Sequence, residues 1–290
     1  MKGYLEERRV LIDYAIKDYL DEVKYPKVIA DGMNYAVLNG GKRLRPILLL
    51  MTLDLFGIRE KRGIPMSVAI ELIHSYSLVH DDLPALDNDD YRRGKFSTHK
   101  KFGEAEGILI GDALLTHSFN LITREDIEPS KIVELIKLTS SYAGVNGMIG
   151  GQMVDIESEG KEIDLPTLQY IHTHKTGKLL MLPIESACII AGVEDEKREV
   201  LKKYAELIGL AFQIKDDILD VEGTFEEIGK PVGSDEKLNK STYPSIFGME
   251  KTKEILSEKV EEAKKIMVEA FGEKAKWHME LADYIGNRKK

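Results

Sequence analysis

Two aspartate-rich stretches, Asp81-Asp82-Leu83-Pro84-Ala85-Leu86-Asp87 and Asp216-Asp217-Ile218-Leu219-Asp220, hold the side chains best suited to chemistry. Each follows apolar sequence, His74-Ser75-Tyr76-Ser77-Leu78-Val79-His80 in one case and Leu210-Ala211-Phe212-Gln213-Ile214 in the other, rather than a solvated acidic run. Carboxylates crowded beside an apolar surface repel one another and lose hydration, at several kcal/mol per uncompensated ion. Cations must offset that. Carboxylate oxygens with no cysteine nearby suit a hard ion, and Mg²⁺ takes one or two protein carboxylates together with substrate phosphates. Two such clusters imply one polyphosphate held between them through several metal ions.

Positive charge is distributed to match. Gly40-Gly41-Lys42-Arg43-Leu44-Arg45-Pro46 offers flexible backbone followed by three cations, Arg92-Arg93-Gly94 follows the first cluster, and Lys175-Thr176-Gly177-Lys178 and Gly229-Lys230-Pro231 flank the second. Arginine gives forked bonds to phosphate and lysine a point charge. Any one such pair reads most simply as solvated surface. Together they exceed what one diphosphate needs, so two sites are expected, one bridged by metal and one gripped by side chains. Residues 40–42 are too short and wrongly spaced for a P-loop, which tells against a nucleotide kinase.

The elements that must position these groups are helices. Leu256, Val260, Ala263, Met267 and Ala270 repeat at four-three-four-three spacing, with Gly272 as C-cap. Pro65 suits the start of a helix running through Val68, Leu72 and Tyr76 to the first cluster. Residues 196–221 read as a long helix ending in the second cluster, with Gly209 kept for close packing. No alternating strand pattern with hairpin turns is seen. On a helix, Asp216 and Asp220 share a face with Asp217 to the side, while His74 and Asp81 share a face ~10 Å apart. Pro84 breaks regular hydrogen bonding and lets Asp87 return toward Asp81. One all-helical domain over residues 1–290 is expected.

Composition excludes several classes. The 290 residues carry a formal net charge of −9, against a nucleic-acid binder. Cys188 is the single cysteine, which excludes an intramolecular disulfide, fits a reducing cytoplasm and reads as a buried inert thiol. No signal-like segment opens the chain, and apolar runs such as residues 47–51 fall far short of the ~20 needed to span a membrane.

Taken together, the motifs resemble the trans-prenyltransferase (polyprenyl diphosphate synthase) family, in its bacterial farnesyl diphosphate synthase branch. The resemblance runs from about Gly40 to Asn287-Arg288-Lys289-Lys290 and includes residues 41–46 and 81–94, Gly150-Gly151-Gln152, Lys175-Thr176-Gly177, Phe212-Gln213, the second aspartate motif and Gly229-Lys230. It implies an all-α isoprenoid synthase fold, roughly ten helices around a deep central cavity, in a cytoplasmic homodimer. It further implies that Asp81 and Asp87, with Asp82 adjacent, and Asp216 bind three Mg²⁺ that bridge to an allylic diphosphate, helped by Arg92, Lys175 and Lys230. Lys42, Arg45, His74 and Arg93 resemble a metal-free site for isopentenyl diphosphate, and Thr176 and Gln213 would line the reacting carbons. An aromatic at Tyr76, five residues before Asp81, resembles a cavity floor that sets product length, and Ser77 beside it is too small to block alone. A floor at that depth implies farnesyl diphosphate, with geranylgeranyl diphosphate as the alternative.

Rival readings fare worse. A terpene cyclase needs no second phosphate site, which leaves Lys42, Arg45 and His74 idle. A non-catalytic subunit could lose metal ligands, yet both aspartate motifs are intact. His80-Asp81 spells the dyad of helical phosphohydrolases, but that reading gives 216–220 no task. His172 and His174 are expected at the surface or as caps, Met148, Met153 and Met181 as core filler, and Trp277 as packing.

Overall fold

The computed structural model describes residues 1–59, 61–223 and 241–288. The fold is all-α, and its residues fall into two compact units, 2–136 with 189–191, and Met1 with 137–188 and 192–290. Among the described residues no helix is long and apolar enough to cross a membrane.

In the first unit, α1 (Lys2–Leu20), α2 (Lys27–Leu38), α3 (Leu44–Leu55) and α4 (Ile64–Asp81) precede a two-stranded hairpin, β1 (Tyr91–Arg92) and β2 (Lys95–Phe96). Next come α5 (Thr98–Phe102), α6 (Glu104–Ile122) and the start of α7 (Pro129–Ala143). The expected helix to the first aspartates is α4, with Pro65 in its first turn. It packs against α1, α2, α3 and α6, so residues on every side are buried, Val68, Ile70, Leu72 and Ile73 completely. Its first turn is closed from a distance: the Glu125 carboxylate, just past α6, accepts from Gly63 N at 3.0 Å and Met66 N at 2.7 Å. At the far end α6 approaches closely because Gly111 has no side chain; a Cβ there would stand 2.1 Å from His80 Nε2.

The hairpin was not expected. Two residues per strand are too few to show alternation, and its turn, Arg93-Gly94, places both residues at positive φ (54° and 78°), the combination that favours a tight antiparallel return.

The second unit contains the rest of α7, then α8 (Met148–Ser158), α9 (Leu165–Ile171), a π-helical turn (His172–Gly177), most of α10 (Lys178–Ala191) and α11 (Asp195–Glu222). Beyond residue 240 lie α12 (Tyr243–Phe247), α13 (Met249–Phe271) and α14 (Lys276–Asn287). The predicted stripe on α13 is buried at Leu256, Val260, Ala263 and Met267, but Ala270, in the last turn, is exposed. Gly272 (φ 57°) caps the helix as expected. Cys188 is buried, and burial pushes its thiol up to about 12. Met148 and Met181 are core residues, whereas Met153 is half exposed, on the outer side of α8. Trp277 is half-buried, with the Lys276 ammonium over its ring.

Candidate active site

In the first unit α4 ends at Asp81, and the chain folds back as Pro84 suggested. Asp87 N donates to Asp81 O at 2.9 Å and Asp89 N to Asp82 O at 3.2 Å, with Leu86 N and Asn88 N both donating to Leu83 O. Asp81 is half-buried and Asp87 exposed, so the two open onto solvent from one compact loop. Asp82 is different. It is 1% exposed, and both its oxygens receive Arg92 Nε at 2.8 Å. Burial raises the Asp82 carboxyl above its ordinary value, and the bonds from Arg92 pull it back. Asp82 therefore holds an arginine where its neighbours present oxygen.

The hairpin sends its two arginines to different places. Arg92 turns to Asp82, while Arg93, at the turn, donates to Gly40 O. Gly41 (φ 132°) leaves room for this: a Cβ would meet Arg93 Nη1 at 2.8 Å and Arg43 Nη1 at 3.1 Å. Of the loop's three cations, Lys42 is exposed and Arg45 half-buried. Arg43, grouped with them in the sequence, turns inward and is 2% exposed. His74 lies among them: burial, then the charges of Arg45, Arg93, Arg92 and Arg43, push its pKa well below the ordinary 6.5 and keep the imidazole neutral. Arg45, Arg93, Arg92 and Arg43 thus crowd a neutral His74 in the unit that carries the carboxylate loop, with Lys42 exposed next to Arg43 in the chain. Two residues from His74, Tyr76 is 5% exposed, its hydroxyl makes no hydrogen bond, and its ring meets His80 edge-on. Ser77 bonds the His74 carbonyl.

In the second unit the chemistry centres on the π-turn, a helical irregularity that often marks functional positions. It is approached closely at Gly151 and in ordinary contact at Gly209. A Cβ on Gly151 would stand 2.2 Å from Lys175 N, and one on Gly209 would stand 3.4 Å from Gly177 Cα. Gly151 thus lets α8 lie against the turn, and Asp155, one helical turn further on, meets Lys175 Nζ at 2.6 Å. Thr176 follows, half-buried. Sequence reasoning missed Asp155; its four-residue spacing from Gly151 was the available signal.

The second aspartate motif divides. Asp216 keeps 45% of its side chain exposed, whereas Asp217 and Asp220 are 6% and 4% exposed. The surface of α11 that packs inward cuts between Asp216 and Asp220, which the helical angle alone had grouped. Gln213 Nε2 donates to Asp216 Oδ2 at 3.5 Å, and Arg288 Nη2 to Asp216 Oδ1 at 2.7 Å. The Arg288 guanidinium also bonds Phe212 O and lies 3.9 Å from the Phe212 ring centroid. Arg288 had been noted only as part of a terminal basic run. Asp217 accepts from Tyr243 N at 2.9 Å and stands 3.8 Å from His172 Nε2. His172 is therefore no surface residue. It is 8% exposed, stacked on Tyr243, and burial takes its pKa down to about 4. His174 stacks on Tyr170 and bonds its carbonyl. Lys230, expected beside this motif, lies outside the described residues, as do Lys289 and Lys290.

The family profile described as Polyprenyl synthetase matches residues 26–276. A farnesyl diphosphate synthase of Geobacillus stearothermophilus is 46% identical over 268 residues, covering 91% of this chain and 90% of its own. A geranylgeranyl diphosphate synthase of Cyanophora paradoxa is 41% identical over 288 residues, covering 98% and 95%. The apo crystal structure of an FPP/GFPP synthase from Zymomonas mobilis superposes with a TM-score of 0.87 at 34% identity, covering 99% of this chain and 100% of that one.

The chain belongs to the polyprenyl synthetase family. It is a prenyltransferase of the trans type.

Members of the polyprenyl synthetase family depend on divalent metal, and the residues present fit one. Asp81, Asp87 and Asp216 offer accessible hard oxygen, and their loop and helix hold no thiol. Among the described residues no group of three histidine, cysteine, aspartate or glutamate side chains stands ready to hold an ion. An ion that takes one or two carboxylates and completes its shell with phosphate oxygen suits such donors.

Proposed function

We propose that this protein condenses isopentenyl diphosphate with dimethylallyl and geranyl diphosphates to give farnesyl diphosphate. One observation carries the reading most directly. The charges of Arg45 and Arg93 converge on His74 in the same unit as the Asp81–Asp87 loop, and we read that grouping as a metal-independent anion site. Two chemistries for gripping diphosphate side by side suit two diphosphate substrates, which a cyclase does not use.

In this reading Asp81, Asp87 and Asp216 would hold three Mg²⁺, which when bound would supply positive charge to stabilise the leaving allylic diphosphate. Arg92, Lys175 and Lys230 add fixed positive charge. Asp82 keeps Arg92 in place, and Asp155 does the same for Lys175. Breaking the carbon–oxygen bond leaves an allylic cation, so the reacting carbons require a dry apolar cavity. The oxygens of Thr176 and Gln213 face that cation with partial negative charge. Lys42, Arg45, His74 and Arg93 orient isopentenyl diphosphate for attack by its alkene, and the departed diphosphate accepts the proton then lost. Tyr76 closes the cavity; its buried hydroxyl, without a hydrogen-bond partner, supports a position against apolar contents.

Residues 1–290 act as one functional domain, supported by a family match that spans both compact units. We read the protein as a cytoplasmic homodimer, with exposed Ile108 and Leu109 of α6 and Val133 of α7 as the apolar contact surface. Incubation with dimethylallyl diphosphate, labelled isopentenyl diphosphate and Mg²⁺, followed by sizing of the products, tests the reading. Fifteen-carbon product is expected. Twenty-carbon product would favour the geranylgeranyl alternative, and cyclised product without uptake of label would refute condensation.

A further inference from the structure

Arg43 sits in the middle of the cationic loop but contributes nothing to its exposed surface. Its Nε donates to Asp13 Oδ1 at 2.8 Å, its Nη1 to Glu71 Oε1 at 2.8 Å and its Nη2 to Val37 O at 2.7 Å. Asp13 belongs to α1, Val37 to α2 and Glu71 to α4, so one guanidinium ties three helices to the loop that bears Lys42 and Arg45. Its own backbone is left-handed (φ 51°), a conformation that a non-glycine residue adopts at a cost and keeps when its surroundings fix it. Burial works against the charge of Arg43, but Glu71 and Asp13 outweigh it.

Glu71 is 2% exposed and lies one helical turn before His74 on the same face of α4. It is therefore a carboxylate set behind the anion site, not in it. Arg45, Arg92, Arg93 and Arg43 all act on His74, and cations so crowded repel one another before any anion arrives. Glu71 attracts Arg93 as well as Arg43. Both guanidiniums touch the same bare Cα side of Gly41, so the position of one constrains the other.

We infer that Glu71, acting through Arg43, is a positioning residue for the metal-free diphosphate site: it fixes the 40–45 loop against α4 and holds the arginine cluster together while the site is empty. This rests on the reading of Lys42, Arg45, His74 and Arg93 as the isopentenyl diphosphate site. The substrate does not touch Glu71; the effect passes through loop geometry and charge.

Glu71→Gln keeps the shape and removes the charge. Calorimetric titration of the full chain with isopentenyl diphosphate, in chelator, reads the site alone; Michaelis constants for both substrates read the enzyme. In Glu71→Gln the metal-free Kd and the KM for isopentenyl diphosphate should rise at least ~10-fold, with the allylic KM and kcat within about twofold of wild type. Asp13→Asn, at the partly exposed end of the same network (32%), should shift the same two constants by about threefold. It serves if Glu71→Gln does not fold. Unchanged binding in a folded Glu71→Gln, equal rises in both Michaelis constants, or an unaltered Asp13→Asn each overturns the inference. Wild-type protein that fails to bind isopentenyl diphosphate without metal overturns instead the site on which it rests.

Discussion

Lys175 Nζ donates to Asp155 Oδ2 at 2.6 Å, across the place where Gly151 brings α8 onto the backbone of the π-turn. Contact and ion pair form one device: the glycine sets how close the helix comes, and the carboxylate one turn later aims the ammonium. Lys175 is 32% and Asp155 14% exposed, so solvent screens the pair only in part. Asp155→Ala should raise the Michaelis constant for the allylic diphosphate by about tenfold, or ~1.4 kcal/mol, and leave that for isopentenyl diphosphate near wild type. Steady-state kinetics with each substrate varied in turn would show it; unchanged allylic binding would mean that Lys175 is aimed by something else.

Asp216 and Asp217 are adjacent, but their replacements should differ in kind. Asp216→Ala, like Asp81→Ala, should cut turnover about 10²–10³-fold because its half-exposed carboxylate serves the reaction, and it also removes the partner of the buried Arg288 guanidinium. Asp217→Ala removes the buried acceptor of Tyr243 N and should cost about 1–3 kcal/mol of stability. Chelation should stop turnover in every active form. Near-normal condensation by Asp81→Ala and Asp216→Ala in Mg²⁺ would sink the metal assignment.

Tyr76 is five residues before Asp81, an axial distance of ~7.5 Å on α4. Tyr76→Ala should lengthen the product to twenty carbons or more while condensation continues. A folded, active variant with the wild-type product distribution would remove Tyr76 as the floor.

His278 supplies a pH dependence. It is 1% exposed, and burial alone takes its pKa from 6.5 down to about 3. The unfolded chain therefore takes up this proton between those values while the folded chain does not. The stability that the neutral imidazole contributes is complete above pH 6.5 and lost as pH falls toward 3, with a limiting slope of about 1.4 kcal/mol per pH unit. Urea titrations from pH 7 to 4 should show His278→Gln to be less acid-sensitive by about that slope. Parallel curves for the two proteins would count against a neutral buried His278.

Much of this was legible in the sequence because it is local. The ends of α4 and α11 at their aspartates, the return of Asp87 after Pro84 and the stripe on α13 all follow from helical period and proline, whereas Gly209, expected to serve close packing, would meet only ordinary contact if it carried a Cβ. What was missed depends on contacts between distant segments. Arg43 looks like its neighbours Lys42 and Arg45 until α1 and α4 enclose it. His172 lies two residues from His174 and is buried only because Asp217 and Tyr243 reach it. Asp220 shares a helical face with Asp216 by angle, and only the packing of α11 separates them. The Arg92–Arg93 hairpin has too few residues to announce itself.

The Glu125 carboxylate that closes the first turn of α4 is 59 residues from Met66 and 62 from Gly63. A chain lacking that contact leaves the leading amides of α4 without their carboxylate partner, at a glycine start that offers no side chain of its own. The turn is thus completed by loop closure and not by local sequence, and such closure costs entropy before it returns any contact. α4 should become protected late in refolding, after α6 has docked. Hydrogen exchange pulsed during refolding should find the amides of Gly63 and Met66 protected together with α6, and delayed in Glu125→Ala. The helix that delivers Asp81 would then be timed from the other side of its own unit.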